Sequence, residues 1–457
     1  MAFEKLKEAF QGQILTDEET LAEVQTDFGG LVACSPAAVA VPYSTKDVCT
    51  LIKTAAAEGW AVTTRGMSHS QSGQSLSQGG ILLDMGPLNR IERIGRHSAW
   101  VQAGALWSDL VRMAVEENLV PPVFPSYLDV TVGGTVSMGG LGASSFKRGH
   151  LVLYLEELEV ITGEGHTARC SPDENPELFN CTRAGLGQFS VVTRAKVHLR
   201  VCAPQVRTYY LLYDNLPALM RDCELLMIEE RFDYLEAFAV PCSLGFKSMG
   251  ETRVQFAEWF YLLQVSVEHG HTPPHDERLL DGLRYFRKTH VEDSGMLGFA
   301  TRHDALYSFW RETGTWSLAH PWVETVLPWR NAGPFIQGVL RSLPPNLLTG
   351  GQIILAPLPQ QSPPLPLLML PEGERMVHFG ILPAVPRQLL PMVLPMLMKA
   401  SELSIEMGGK RCLSGWINFD QKQWKNHFGD RWGRLIGWKR FYDPKGILNP
   451  GFIKIKE

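Results

Sequence analysis

Through the first part of the chain, short β-like runs alternate with glycine-rich turns. The clearest are "VTTRG", "GILLDM", "AWVQAGA", "LEELEVITGEG" and "SVVTRAKVHLR". Between them, Lys46 to Glu58 and Trp107 to Asn118 carry apolar residues at helical spacing. Strands and helices mix without a regular strand–helix–strand repeat, so the expected class is α+β. From about Ala203 the texture changes. "VRTYYLLYDNLPALMRDCELLMIEE" reads as a strand running into a helix, and a long aromatic-rich middle follows, with proline-rich stretches at "PPNLL" and "LPQQSPPLPLLMLPEGE". That middle reads as a second domain, a sheet covered by helices. Its most apolar stretch, Ile381 to Ala400, holds four prolines and Arg387, which predicts a helix docked on a core rather than a bilayer span. The tail reads as helical up to Phe441 and stops at Asp443-Pro444.

Composition narrows the class. A chain of 457 residues, 45% apolar and 20% charged, has room for two or three cores and the make-up of a soluble protein. A net charge of −5 with no Lys/Arg run argues against a nucleic-acid or membrane-surface partner. The opening "MAFEKLKEAFQGQIL" lacks the unbroken apolar core of a secretory signal, and the eight cysteines are dispersed without a CxxC pair. Reduced thiols in a cytoplasmic protein are expected. His269, His271 and His275 cluster in "EHGHTPPHDER", but without a partner acid at helical spacing, so no metal site is expected.

Three glycine-rich segments carry the chemistry: "TTRGMSHSQSGQS" around His69, "VTVGGTVSMGGLGASS" and "RAGLGQFSVVTRA". Glycine adds no Cβ, so backbone N–H groups there can approach phosphate oxygens closely. None of the three is a Rossmann fingerprint or a Walker loop. Together they predict an extended phosphate-bearing ligand gripped along its length.

Arg65-Gly66-Met67-Ser68-His69-Ser70, Thr131-Val132-Gly133-Gly134-Thr135 and Gly185-Leu186-Gly187-Gln188-Phe189 resemble the three flavin-cradling segments of vanillyl-alcohol-oxidase-type (PCMH-type) FAD proteins. With "YLDVTVGGTVSMGGLG", "HPWV" and "WKNHFGDRW…YDPKGILNPG" added, the whole chain resembles the cytokinin dehydrogenases, bacterial ones most closely. The resemblance implies a two-domain fold: an FAD domain over 1–203, a substrate cap over 204–412 and a return to the FAD domain over 413–457. It implies FAD joined covalently to His69, whose imidazole is a nucleophile near neutral pH. Gly66, Ser68 and Ser70 would hold the pyrophosphate, and Gly133, Gly134, Thr135 and Ser137 the far side of the flavin. Gly187, Val191 and Val192 would meet the adenine and ribose end. Arg65, Met67, Gly73, Thr131, Gly139 and Asn449 would complete the cradle, with Trp322 and Trp416 facing the substrate. Pro125 to Leu128 holds no cysteine, so one covalent bond is expected.

The implied reaction is hydride transfer to flavin N5 from a C–H next to nitrogen in a small substrate, followed by reoxidation with oxygen or a quinone-like acceptor. Here the chain departs from the family pattern. Ser126 stands where the resemblance places an aspartate that takes the substrate's proton, and a lone hydroxyl has no useful basicity. Asp129, three residues on, is the candidate base. Phe452 replaces the family's glutamine after Pro-Gly. An alcohol or sugar oxidase of the same fold, or a flavin protein without turnover, therefore stays open beside amine oxidation.

Overall fold

Ser44 opens a 14-residue helix, Thr45–Glu58: its side chain accepts from Asp47 N–H, and Gly59 closes the helix in the left-handed region at φ 73°. Val48, Leu51, Ile52 and Ala55 fall on one face of that helix and are buried. The helix shares its core with a four-stranded sheet ordered Gln13–Leu15, Ala38–Val41, Ile81–Asp84, Val62–Arg65. A five-stranded antiparallel sheet follows, ordered Ile91–Ile94, Ser98–Gln102, Ser190–His198, Leu155–Thr162, Thr167–Cys170. One apolar cluster joins both sheets, running from Leu6 to Ile453. These coordinates are a computed structural model that describes residues 3–345, 351–361 and 364–453; parts of both proline-rich stretches and the last four residues lie outside them.

The middle of the chain builds an eight-stranded antiparallel sheet, ordered Arg287–Gly295, Gln205–Tyr213, Thr252–His269, Tyr234–Met249, Gln352–Pro359, Arg375–Leu382, Val323–Pro328, Lys410–Arg411. Helices Leu216–Glu229, Trp329–Ser342 and Leu390–Glu406 contribute to a second core with this sheet. The chain is thus a two-domain α+β protein. Helices Gln421–Phe428 and Trp432–Tyr442 return to the first core through Trp424, Phe428, Trp432, Leu435 and Trp438.

Two local expectations are corrected. Ile381 to Ala400 is not one helix: Ile381 and Leu382 finish the strand Arg375–Leu382, and the helix begins at Leu390. Pro383 and Pro386 cannot donate to a helical ladder and hold the link extended. Among the described residues no helix is long and apolar enough to cross a membrane. The second glycine-rich segment is not a loop throughout, because Val132–Met138 is helical, with Thr131 as its N-cap. Glycine is tolerated there for lack of space: a Cβ on Gly133 would stand 2.8 Å from the Ala103 Cβ.

Candidate functional site

The strand Val62–Arg65 delivers the chain into the loop that carries His69. Asp27 organises this loop from outside it. Its Oδ2 accepts from Ser70 Oγ at 2.9 Å and from Gly73 N–H at 2.7 Å. Phe28 N–H and Gly29 N–H donate to the carbonyls of Ser68 and Ser70 at 2.9 and 3.0 Å. Burial pushes the Asp27 carboxyl up, against the pull of the Gly73 and Ser70 bonds. At the far side, Gln74 Nε2 donates to Leu413 O at 2.8 Å, and Ile417 N–H donates to Ser72 Oγ at 2.6 Å. Ser68, at φ 56°, holds a left-handed backbone that serines rarely adopt.

His69 is therefore fixed on both sides. Its ring stacks on Phe28 with centroids 4.3 Å apart and lies 4.9 Å from Tyr127, 5.5 Å from Trp316 and 6.4 Å from Trp322. Nε2 is shielded from solvent and has no hydrogen-bond partner. Burial, with His320 and Arg311 adding to it, pushes the imidazole pKa down to about 3. At neutral pH the ring is uncharged, with a nucleophilic nitrogen to offer.

The three glycine-rich segments meet around one cavity of about 390 Å³. A Cβ on Gly66 would stand 2.2 Å from Thr131 Oγ1, so the first loop and the second segment touch only because Gly66 lacks one. Ala184 and Leu186 donate their N–H groups to Val136 and Ser137 carbonyls at 2.9 Å, pinning the third segment to the same helix. Ala184, Leu186 and Gly187 all have positive φ there. Asn449 Nδ2 donates to Leu186 O at 2.7 Å, which brings the C-terminal tail to the same wall.

Of the residues singled out in the sequence, Arg65 to Ser70, Thr131, Gly133, Gly134, Thr135, Ser137, Gly187, Val191, Val192 and Asn449 line this cavity. Arg65 also turns outward, donating to Val24 O at 3.1 Å, and Met67 is 52% exposed. Gly73 and Gly139 stand behind the lining at positive φ, where they shape the backbone. Trp322 packs edge-on to Phe28 at 5.1 Å, and its carbonyl accepts from Trp416 N–H at 2.7 Å; neither indole is among the lining residues.

Ser126 and Asp129 are half-buried and stand outside the cavity lining. Ser126 Oγ donates to Glu236 Oε1 at 2.9 Å. The Glu236 side chain is 13% exposed and accepts from Arg302 Nη2 at 2.6 Å and Nε at 3.0 Å, with His303 Nε2 at 3.2 Å. Burial alone would raise this carboxyl, but Arg302 and His303 outweigh it and hold it well below the usual carboxylate range.

Sequence reasoning missed the cap side of the cavity. Glu324, Val326, His378, Arg411 and Cys412 line it, with His150 and His427. His378 Nε2 lies 3.3 Å from Glu324 Oε1. Burial disfavours a charged His378, yet Cys412 and Glu324 overcome that and raise its pKa to about 10. One signal was available: Glu324 directly follows the "HPWV" segment, which the resemblance points toward the substrate. His378 is hidden in the apolar run "RMVHFGIL".

The comparisons agree with this construction. A family model described as an FAD binding domain matches residues 36–171, and one described as "Cytokinin dehydrogenase 1, FAD and cytokinin binding" matches residues 204–453. The "Uncharacterized oxidoreductase ORF5 in fasciation locus" of Rhodococcoides fascians is 31% identical over 445 residues, covering 96% of this chain and 98% of that one. Cytokinin dehydrogenase 6 of Oryza sativa subsp. japonica is 30% identical over 483 residues, covering 96% and 90%. Cytokinin dehydrogenase 1 of Arabidopsis thaliana is 28% identical over 485 residues, covering 96% and 82%. Fold and matches together define an FAD-dependent oxidoreductase. Within that class, the chain belongs to the cytokinin dehydrogenase family.

Proposed function

We propose that FAD lies along the glycine-rich cavity, joined covalently to His69, and that a small nitrogen-containing substrate is oxidised beside it. The observation that carries this reading is the uncharged, solvent-shielded His69 imidazole, with an unpartnered Nε2, at the wall of a cavity built by all three segments. Gly66, Ser68 and Ser70 take the pyrophosphate; Gly133, Gly134, Thr135 and Ser137 the flavin; Gly187, Val191, Val192 and Asn449 the adenine end. FAD, when bound, supplies the two-electron acceptor for a hydride drawn from a C–H next to nitrogen. Oxygen or a quinone-like acceptor then takes the electrons. The FAD domain spans 1–203 and 413–457 and the cap 204–412. The eight free cysteines favour a cytoplasmic location.

Ser126 has a defined part in this scheme. Because its proton is directed to Glu236, its oxygen lone pairs are free to accept from a substrate N–H. Glu236 is a poor base, since Arg302 and His303 stabilise its charged form. Ser126 therefore orients the substrate, and Asp129 remains the candidate proton acceptor. Trp322 and Trp416 close the substrate side.

A second reading, oxidation of an alcohol or sugar, draws on His150 and His378 in the cavity wall. Anaerobic screening of amines and alcohols for bleaching of the yellow protein separates the two. The covalent link is tested by acid precipitation, which should leave a yellow, fluorescent pellet. The His69→Ala protein should yield a colourless pellet; colour retained through denaturation in that variant overturns the assignment.

A further inference from the structure

The strand Val323–Pro328 runs along the cavity, and its side chains alternate so that Glu324 and Val326 both line it. Its beginning lies at the His69 end, because the Trp322 and His69 rings are 6.4 Å apart. Four residues on, roughly 13 Å at about 3.3 Å per residue, Val326 pairs in register with His378 of the neighbouring strand. His378 therefore stands farther from the His69 end than Glu324 does. Its side chain is 6% exposed, and its Nδ1 is buried with no hydrogen-bond partner, while Nε2 is engaged by Glu324 at 3.3 Å. Glu324 is held in turn by Ser414 Oγ at 3.4 Å.

Other groups face this ring. Arg411 ends the edge strand Lys410–Arg411, Cys412 follows it directly, and His150 comes from the FAD-binding part of the chain. Arg411 is committed elsewhere, donating to the carbonyls of Glu324 at 3.0 Å and Trp416 at 2.7 Å. Burial, with His378 adding to it, pushes His150 down to about 3, so that ring is neutral. A buried Nδ1 without a hydrogen-bond partner, on a ring whose other partners are the Cys412 thiol and the Glu324 carboxylate, is an arrangement that takes an acceptor from outside the chain.

A flavin joined to His69 by its dimethylbenzene end would reach away from that residue with its pyrimidine edge, along the strand toward Val326 and His378. Taking up a hydride adds two electrons and one proton, which leaves a net negative charge on that edge. We propose that His378, held by Glu324, donates through Nδ1 to the pyrimidine edge of the flavin and stabilises the negative charge that reduction places there. This inference rests on the FAD reading above. His378 touches the cofactor, and Glu324 is its positioning residue.

Sulfite is the probe, because it adds covalently to an oxidised flavin and leaves the same negative charge without turnover. On purified, flavin-loaded protein, His378→Asn should weaken sulfite binding about 10- to 100-fold, the worth of a hydrogen bond to a charged group. A sulfite affinity within about twofold of wild type, with flavin retained, overturns the inference and leaves the FAD reading intact. A wild-type protein that carries no flavin overturns that reading instead. Should His378→Asn not hold flavin, the double variant Glu324→Gln/Cys412→Ser decides. Without the two partners that hold its proton the ring loses that proton earlier, so sulfite affinity should fall as pH rises through the neutral range, where wild type keeps it. Matching pH profiles overturn the inference.

Discussion

The imidazoles of His69, His150 and His427 are each pushed down to about 3, by desolvation before any other cause, whereas His378 is raised to about 10. The two groups make opposite demands on pH. For the depressed rings the unfolded chain binds more protons, so their contribution to stability is present above the unfolded value of about 6.5 and is lost as pH falls toward 3. For His378 the contribution is present below that value and is lost as pH rises toward 10. His427 isolates the first effect, because its ring packs on Phe419 and Trp424 at 5.6 and 6.4 Å and the charges acting on it, Lys410 and Arg411, are cationic. His427→Gln should flatten the fall in melting temperature between about pH 6.5 and 4 relative to wild type. An unchanged slope, measured by thermal melts across that range, would refute a buried neutral imidazole at this position. None of this was legible in the sequence, where a histidine in an apolar run looks the same whether its neighbour across the sheet is a carboxylate or an arginine.

At the scale of elements, legibility followed the strength of the local signal. "GILLDM" and "SVVTRAKVHLR" became the strands Ile81–Asp84 and Ser190–His198, and Lys46 to Glu58 became the helix Thr45–Glu58, because period and caps agreed. Val132–Met138 was illegible as a helix, since glycines at 133 and 134 argue for a loop until Ala103 and the Thr131 cap are in place. The loop from Gly66 to Gly73 was legible as permissive backbone, but not its anchor: Asp27 lies some forty residues earlier in sequence. Asp27→Ala should cost about 1–3 kcal/mol, the penalty for leaving Ser70 Oγ and Gly73 N–H without their acceptor. It should also lower the flavin-to-protein ratio after purification. Loss of stability with full flavin content would mean that Asp27 holds the fold and not the His69 loop. Gly66→Ala is the sharper probe of the cradle, because its Cβ would meet the Thr131 cap oxygen at 2.2 Å and part the first loop from the helix. That variant should retain little flavin while its far-ultraviolet circular dichroism stays close to wild type.

Across the whole molecule, the C-terminal tail ties the cofactor cavity to the first core. Asp443 is fully buried; its carboxylate accepts from Leu448 N–H at 2.8 Å and Ile447 N–H at 3.1 Å and pairs with Lys439 at 2.8 Å. Those bonds bend the chain so that Val62 N–H donates to Ile447 O and Asn449 N–H to Val62 O, each at 2.8 Å. Val62 begins the strand that leads into the His69 loop, and Asn449 itself holds Leu186 of the third segment. A break at Asp443 should therefore be felt in two of the three segments at once. Asp443→Ala strips a buried lysine of its partner and two backbone N–H groups of their acceptor, a loss of about 3–5 kcal/mol. Lys439→Met alone leaves the buried Asp443 carboxylate without its counter-charge, whereas Lys439→Met together with Asp443→Ala removes both charges and should cost less than Asp443→Ala. If the tail acts on the cavity, Asp443→Ala will lower flavin content at temperatures well below its melting point, and the double variant will recover part of the stability without recovering the flavin. If flavin content instead tracks melting temperature in all three variants, the tail only stabilises the fold, and the cavity owes its shape to the glycine-rich segments alone.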